Sequence, residues 1–304
     1  MKKFDFVGNL KRFLIISLAI MLVGVVVNVF VGTKLDISFK GGTQIRYSYE
    51  AAPDMDKLTE IAKAELGNDV SLITDEVNST TVVTIKLPGE VSTEQKLALD
   101  EKIQKDFKDN KMEIFSSNTL SASMGTKFLI RCLFALVVAA VLLVLYVGFR
   151  FRKIGGFSAG GAALIALLHD LLIVYFSFVI FGIELNDNFV AVMLTILGYS
   201  LNDTIVIFDR IRTLRRRSDA PLEEIVNESL HHVLRRTIVT TATTCVAILA
   251  VLVVALVMHV DSIISFALPM LLGSISGSYS SLFLSGPIWV RWMNRKAAKA
   301  TKKA

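Results

Sequence analysis

The chain has 304 residues, of which 53% are hydrophobic and 20% are charged, and its formal net charge is +6. This apolar content excludes an intrinsically disordered protein, and two cysteines, both within apolar runs, exclude a disulfide-rich secreted domain. The basic residues cluster beside the apolar runs, as the topology signals of membrane proteins do. We therefore predict a membrane protein that is surrounded by lipids and does not bind nucleic acid.

Six segments are long and apolar enough to cross a bilayer, whose core of ~30 Å requires about 20 helical residues. The first, 13–33, follows a basic segment at 1–12; it is longer than the apolar core of a signal peptide and lacks a small-residue cleavage pattern. We interpret it as a retained helix. The other five spans predict a transmembrane bundle over 128–292, and they cover about 128–149, 154–183, 188–208, 237–258 and 262–290.

Lysine and arginine are concentrated in alternate connections of this bundle. The basic segments are 1–12, the connection after the second span, the loop at 209–236 and the tail at 293–304, whereas 184–188 and 259–261 contain neither residue. By the positive-inside rule, both termini are expected in the cytoplasm, and 34–127 is expected to form one extracytoplasmic domain. Within the loop, residues 218–233 are apolar on one side, which predicts a helix at the cytoplasmic membrane surface or a docking site.

The segment 34–127 alternates between strand and helix patterns. Apolar alternation from Asp36 to Tyr49 predicts a strand, and cap residues with helical periodicity predict helices at 54–67 and 92–109. The three further predicted strands are 70–75, 80–87 and 111–118. This βαββαβ order is that of the split βαβ, ferredoxin-like arrangement. The predicted fold class is therefore a polytopic α-helical membrane protein with six transmembrane helices and one extracytoplasmic α+β ferredoxin-like domain between helices 1 and 2.

Several kinds of enzyme are excluded by missing motifs. No G-x-x-x-x-G-K-[ST] sequence is present, so hydrolysis of ATP on a P-loop is not expected. His-Glu-x-x-His is also missing, and the adjacent His231 and His232 would point about 100° apart on a helix, so no metal site is expected. The G-x-G-D signature of intramembrane aspartyl proteases does not occur. We predict a protein that is not an enzyme and has no cofactor.

Ionisable side chains within membrane spans cost about 2.5 to 3.5 kcal/mol each at a helix centre, so they are first examined for a function. Asp203 in the fourth span is the clearest of them, and the spacing of Thr195, Tyr199 and Asp203 places these three on one helical face. The polar residues that accompany this face are Tyr199, Asn202, Asp209 and Arg210. Such a face is typical of an ion pathway.

Arg236 begins a second polar face on the next span, which continues through Thr240 and Thr243. Our hypothesis is that Asp203 is the proton-accepting carboxylate and that Arg236 is its switchable countercharge. The alternative is a permanent salt bridge that holds the fourth and fifth spans together.

His169 and Asp170 form a second candidate relay pair in the middle of the third span. The pair is a weaker candidate than Asp203 because adjacent residues do not share a helical face, and packing is an equal alternative for Asp170. In the last span, Gly273-x-x-x-Gly277 predicts close helix approach, beside a stripe of small residues that includes Ser278 and Ser281.

Four segments of the chain resemble the SecF family of accessory subunits of the Sec protein translocase. The first, Asp36-Ile-Ser-Phe-Lys-Gly-Gly-Thr43, is similar to the D-F-x-G-G-T box of that family, which corresponds here to Asp36, Phe39, Gly41, Gly42 and Thr43. The others are 167–170, 198–212 and 236–241. The chain departs from the family pattern in having Ile-Ser between Asp36 and Phe39, and in having Thr213 where an acidic residue often stands.

The resemblance implies the helix arrangement of the resistance, nodulation and division superfamily and a place in the bacterial cytoplasmic membrane. It also implies a SecD partner that supplies a pseudo-symmetric second half, association with the SecYEG channel and YajC, and action on an unfolded polypeptide driven by a proton or sodium gradient. Asp203 and Arg236 match the ion-coupling residues of the family. We expect protonation of Asp203 to tilt the extracytoplasmic domain through two tethers, 31–36 and 118–128. The alternatives are a stand-alone small-molecule or lipid exporter of the same superfamily and a non-transporting scaffold.

Overall fold

The computed structural model describes residues 4–67, 69–77 and 80–301. Six helical segments in this part of the chain are long and apolar enough to span a membrane. They are α1 (Leu10–Val31), α5 (Ala122–Arg150), α6 (Gly156–Ile180), α7 (Asp187–Arg215), α8 (Leu222–Met258), and a last segment formed by α9 (Asp261–Ser280), a π-helical stretch (Ser281–Ser285) and α10 (Gly286–Thr301). The prediction of a polytopic membrane protein is thereby confirmed.

The six spans differ in how much of their surface the protein itself covers. About half of the apolar window is buried in α6 (56%), α7 (50%) and the last span (50%), whereas only 6% to 11% is buried in α1, α5 and α8. The span α6, the span α7 and the last span therefore form the centre of the bundle. The helices α1, α5 and α8 present apolar side chains outward, as expected for helices that contact the hydrocarbon of a bilayer.

A sheet domain lies between α1 and α5. Its elements are α2 (Ile37–Lys40), β1 (Gly42–Ser48), α3 (Met55–Leu66), β2 (Ser71–Val77), β3 (Thr80–Leu87), α4 (Thr93–Asp106) and β4 (Glu113–Leu120). The strands form one antiparallel sheet in the order β2-β3-β1-β4. Apolar residues on one face of the sheet, among them Ile45 and Ile85, form the domain core with Leu58 of α3 and Leu99 of α4.

The beginning of the domain is helical where a strand was predicted. Residues 37–40 form the short helix α2, because the Asp36 carboxylate accepts a hydrogen bond from the Ser38 backbone N–H at 2.8 Å and caps it. Gly41 ends this helix at φ +81°, so the strand begins only at Gly42. Ile37 and Phe39, which alternate in the sequence as strand residues would, are both buried by the helical turn.

Most of the segment 209–236, predicted as a loop, belongs to two long helices. The helix α7 continues to Arg215, and α8 runs without interruption from Leu222, within the surface helix predicted at 218–233, to the end of the span predicted at 237–258. No glycine or proline lies between Leu222 and Met258, so nothing breaks the hydrogen-bond ladder where the helix enters the apolar layer. The connection itself is reduced to residues 216–221.

The predicted tether at 118–128 is also structured. The strand β4 ends at Leu120 and the helix α5 begins at Ala122, so Ser121 is the only residue between the sheet and the second span. At the other tether, Leu35 pairs with Leu185 of the α6–α7 connection as an isolated parallel bridge. Both connections are therefore held by backbone hydrogen bonds.

Candidate functional site

Asp170 lies at the centre of a hydroxyl cluster where α6, α7 and α9 meet. Its side chain is 0% exposed. One carboxylate oxygen, Oδ2, accepts hydrogen bonds from the Ser200 and Ser280 hydroxyls, each at 2.6 Å, and Oδ1 accepts one from the Ser276 hydroxyl at 2.7 Å. Three donors from two neighbouring helices thus replace the water that this carboxylate would bind outside the membrane.

The sequence of α9 explains why two of these hydroxyls converge. Ser276 and Ser280 are four residues apart and lie on one helical face. A Cβ atom at Gly277 would lie 3.1 Å from Cβ of Ser200, so the glycine lets α9 approach α7 closely enough for the hydrogen bonds to Asp170 to form. The close helix approach predicted from Gly273-x-x-x-Gly277 is therefore present.

His169 contacts Asp170 directly, although the sequence analysis placed the two on different faces. The distance between His169 Nδ1 and Asp170 Oδ1 is 3.1 Å. The contact is possible because the Asp170 carboxylate, held by the serines, lies beside the imidazole of the preceding residue. The other nitrogen, Nε2, is buried and has no hydrogen-bond partner among the described residues. The ring centre of His169 lies 6.0 Å from that of Tyr279.

Asp203 is also buried, at 7% exposed, but its contact is with α9 instead of α8. The Ser278 hydroxyl donates to its Oδ2 at 3.5 Å, which is long for such a hydrogen bond. The same Ser278 hydroxyl contacts the Thr241 hydroxyl of α8. Asp203 is therefore connected to the fifth span through a serine of the sixth, a connection that the sequence analysis did not predict.

Arg236 does not form an ion pair with Asp203 in the described part of the chain. It lies exposed on α8, farther from the Asp203 carboxylate than an ion pair requires. The exposed Thr240 and Thr243 follow it along the helix, and the Thr243 hydroxyl donates to the Thr240 carbonyl at 2.8 Å. The two predicted polar faces are thus near each other without a direct salt bridge.

The remaining polar residues predicted around Asp203 are distributed differently. The Tyr199 hydroxyl is buried without a partner among the described residues, and Asn202 is exposed. Asp209 pairs with Arg150 at 3.1 Å and with Arg212 at 2.6 Å, at the end of α7. Arg210, whose Nε is buried, has no such pair in the structure described. These residues do not line one continuous face with Asp203.

Two further hydroxyls connect the Asp170 cluster to the π-helical stretch that follows α9. Ser281, the first residue of the π-helical stretch, contacts the Thr204 hydroxyl at 2.9 Å and donates to the Ser200 carbonyl at 3.1 Å. Sequence reasoning found Asp170 and the serine stripe separately but missed Ser200, Ser276 and Ser280 as its donors. The four-residue spacing of Ser276 and Ser280 was the available signal. Among the described residues, no three His, Cys, Asp or Glu side chains are grouped so as to hold a metal ion.

The box at Asp36–Thr43 forms the joint between the sheet domain and the bundle. The Asp36 carboxylate pairs with Lys86 of β3, and Glu184 of the α6–α7 connection lies 4.0 Å from the same ammonium group. Burial raises the pKa of Asp36, but the Lys86 charge and the hydrogen bonds from Lys86 and Ser38 outweigh it, so the pKa lies below its usual value. Burial raises the pKa of Glu184, partly offset by Lys86.

The other residues of the box make the joint tight. Phe39 is buried and stacks on Phe128 of α5, with ring centres 5.7 Å apart. A Cβ at Gly41 would lie 2.5 Å from Cα of Ala122, and a Cβ at Gly42 would lie 2.4 Å from the Leu87 carbonyl oxygen. The Thr43 hydroxyl donates to the Gly89 carbonyl at 2.9 Å. Phe39 and Gly41 therefore pack against α5, whereas Gly42 and Thr43 fix the box to the end of β3 within the domain.

Comparison with known proteins assigns the chain to a family. The family model described as protein export membrane protein SecD/SecF, C-terminal, matches residues 100–295. The protein translocase subunit SecF of Alicyclobacillus acidocaldarius is 32% identical, and the alignment covers 99% of this chain and 96% of that protein. The chain belongs to the SecD/SecF family. Within it, the SecF subunit of Petrotoga mobilis is 30% identical over the full length of both chains.

Some members of the family are much longer than this chain. The protein translocase subunit SecDF of Bacillus subtilis is 30% identical over 98% of this chain, which corresponds to 39% of that protein. The crystal structure of SecDF from Thermus thermophilus, described as a translocon-associated membrane protein, superposes with a TM-score of 0.78 at 28% identity, and it covers 96% of this chain and 39% of that one. The chain thus spans about two fifths of each of these SecDF proteins.

Proposed function

We propose that this chain is an accessory subunit of the Sec export machinery that uses a proton or sodium gradient to promote late steps of polypeptide translocation. In this proposal both termini and the 216–221 connection are cytoplasmic, and residues 34–127 form a ferredoxin-like domain outside the membrane. The alternation of basic connections supports the orientation. The strand order β2-β3-β1-β4, with α3 and α4 against one face, supports the ferredoxin-like assignment.

A SecD subunit completes the machine in this proposal, and SecYEG and YajC act beside it. Relatives named SecDF match this chain over about two fifths of their length, which supports a second half supplied by another chain. The outer surfaces of α5 and α8 are largely uncovered by the rest of this chain, so a partner subunit has room to pack there.

The observation that carries the proposal is a pair of carboxylates that are buried in the middle of apolar helices and that each accept hydrogen bonds from serine hydroxyls of α9. Asp203 has a serine as its neighbour and no ion-paired cation among the described residues, so an incoming proton or sodium ion would meet an unpaired carboxylate. Arg236 supplies the countercharge from α8 when the helices shift. Asp170 and His169 form a second, coupled site one span away, since Ser278 and Ser280 of the same helix serve the two carboxylates.

Energetics indicate why two sites are useful. Moving one charge across ~100 mV is worth about 2.3 kcal/mol, whereas shifting a two-state equilibrium from 1:99 to 99:1 requires about 5.5 kcal/mol. One ion at Asp203 therefore biases the domain without switching it completely. A second site, at Asp170 or on the SecD half, or a pH gradient, would supply the difference.

The test is export into inverted vesicles that contain SecD, with and without an ion gradient and with sodium replaced by potassium. We expect Asp203→Asn to reduce export to the level seen without a gradient while its abundance stays normal. Asp219→Asn removes a carboxylate from the exposed α7–α8 connection and serves as the matched control, with normal export. Gradient-dependent export by the Asp203→Asn protein would instead establish the scaffold function.

A further inference from the structure

A groove with a strongly positive rim lies where the last span leaves the bundle, between α10 and the first turns of α1. Its volume is about 430 Å³, and Leu10 and Leu14 form its α1 side. On the α10 side, the lining residues repeat at three- and four-residue spacing, so they occupy one helical face. These residues are Ile288, Arg291, Trp292, Arg295 and Lys299.

The floor of this groove is fixed by contacts with α6. Trp292 packs on Gly161, where a Cβ atom would lie only 2.8 Å from the indole ring. The Lys296 ammonium group donates to the Ser158 hydroxyl at 2.8 Å and lies 5.6 Å from the Trp292 ring centre. The indole and the first cation are thereby held in place, which makes the groove a formed feature of the bundle and not a gap between two mobile side chains.

No acidic side chain in the described part of the chain neutralises the positive charge on the rim. None of Arg291, Arg295, Lys296 and Lys299 pairs with an acidic group among the described residues. Arg150 and Arg212, at the same end of the bundle, share Asp209 as their partner. The rim therefore attracts a ligand with negative charge more strongly than Arg150 and Arg212 do.

The groove continues into an apolar stripe on α1. Leu14 lines the groove, and Leu18, one turn deeper, is 68% exposed along the outer face of the helix. A ligand that satisfies both parts has an anionic group at the level of the cations and a hydrocarbon chain along α1. Trp292, as an aromatic residue at the boundary of the apolar layer, suits this depth.

We propose that this groove binds an anionic phospholipid of the leaflet that faces the chain termini. The phosphate lies among Arg291, Arg295 and Lys299, and an acyl chain follows Leu14 and Leu18. A cation near an anionic membrane surface is worth ~1 kcal/mol, which is roughly five-fold in affinity. The three cations together should therefore give a clear preference for an anionic over a zwitterionic lipid.

Trp292 provides the measurement, because the other tryptophan, Trp289, is fully buried. The full chain is reconstituted in two sets of vesicles, one of dibrominated phosphatidylglycerol with phosphatidylcholine and one of phosphatidylglycerol with dibrominated phosphatidylcholine. Quenching of Trp292 then reports which lipid occupies the groove. We expect an apparent preference for phosphatidylglycerol of at least about five-fold. In the Arg291→Gln, Arg295→Gln, Lys299→Gln triple variant we expect the preference to disappear.

The control triple variant, Arg215→Gln, Arg216→Gln, Arg217→Gln, removes equal charge from the exposed end of α7 and the connection after it, and should keep the preference. The Arg291→Lys, Arg295→Lys variant keeps the positive charge and should keep most of the lipid preference. This variant therefore distinguishes a preference lost through misfolding from a preference lost with the charge. The proposal is overturned if the wild-type chain shows no preference, if the control triple loses it equally, or if millimolar inorganic phosphate abolishes it, which would indicate a free anion as the ligand.

Discussion

Ser276 and Ser280 determine the environment of Asp170 more than any other side chains. A carboxylate that is 0% exposed within apolar helices is costly unless donors surround it, and these two serines supply two of the three hydroxyl donors. The third, from Ser200, is held in turn by the contact of its backbone carbonyl with Ser281. The Nε2 atom of His169, in the same cluster, is buried and has no hydrogen-bond partner among the described residues.

The first prediction concerns these two hydroxyls. In a Ser276→Ala, Ser280→Ala variant, a buried acceptor loses two donors, at about 1–3 kcal/mol each, so we expect a lower thermal unfolding midpoint and a loss of gradient-dependent export. Ser274→Ala, Ser285→Ala is the matched control, because both hydroxyls donate only to carbonyls of their own helix turn. Equal effects of the two double variants would contradict a special role for the Asp170 cluster.

At this scale, residue type identified the acids but not their partners. Asp170 and Asp203 are conspicuous because charged residues are rare in membrane spans. Their donors are serines, which occur throughout the last span, and only the packing of α9 against α6 and α7 determines which hydroxyls face a carboxylate. The Asp203–Arg236 hypothesis likewise named a pair whose direct contact the structure does not contain.

At the scale of elements, α2 and its flanking residues make the contact between domain and bundle. The second prediction concerns the close approach of Gly41 to the backbone of α5. Gly41→Ala adds a methyl group within 2.5 Å of the α5 backbone and at a positive φ, so we expect a loss of roughly 2 kcal/mol or more in stability and lower abundance. Gly67→Ala is the control, since Gly67 also has a positive φ but open space around it, and it should show only the smaller conformational cost.

The third prediction follows from the ion pair that Asp36 forms. Because the pKa of folded Asp36 lies below its usual value, the stabilisation is complete at neutral pH and is lost as pH falls below about 4 towards that lowered pKa. Protonation of Glu184, whose pKa burial raises, weakens the attraction to Lys86 at a higher pH. We expect spin labels at Glu60 and Met258 to move apart on acidification.

In Asp36→Asn the pair is missing at every pH, so the separated state should be present already at neutral pH, with breakage of a buried pair costing about 3 kcal/mol. An interlabel distance that is constant from neutral pH to pH 3 in the wild-type protein would refute the third prediction.

Element boundaries were predicted best in the sheet domain, where caps and turn residues mark them: the strand predicted at 80–87 is β3, and the helix predicted at 54–67 is α3, Met55–Leu66. The strand predicted from Asp36 to Tyr49 is present from Gly42, but its first part was wrong because four residues of alternating pattern cannot outweigh an N-cap and a glycine stop. The break predicted before 237 failed because a change from amphipathic to apolar composition does not itself end a helix. Composition changes at a membrane surface, whereas backbone hydrogen bonding continues through it.

At the scale of the whole molecule, the domain is attached to the bundle at several separated points. Besides the pairing of Leu35 with Leu185 and the Asp36–Lys86 ion pair, the backbone N–H of Thr74 in β2 donates to Asp261 at the start of α9 at 3.1 Å. A domain that moves during export has to release some of these contacts.

The fourth prediction concerns a crosslink that prevents release of the contact between Thr74 and Asp261. In a chain whose native cysteines are replaced by alanine, we expect a short reducible thiol crosslinker between Thr74→Cys and Asp261→Cys to abolish gradient-dependent export, and reduction to restore it. A crosslink between Ser48→Cys and Glu113→Cys joins paired residues of β1 and β4 within the domain and should have no effect. Normal export with the first crosslink intact would exclude domain movement from the mechanism.

Because a single residue separates β4 from α5, a movement of the sheet is passed directly to the second span. The helix has 29 residues, which at 1.5 Å each is a rod of about 44 Å, so a swing of about 5° displaces its far end by about 4 Å. Arg150 lies at that end and forms an ion pair with Asp209, in which a guanidinium nitrogen is 3.1 Å from Oδ1. A displacement of the sheet would therefore be transmitted along α5 to Asp209, which lies six residues along α7 from Asp203.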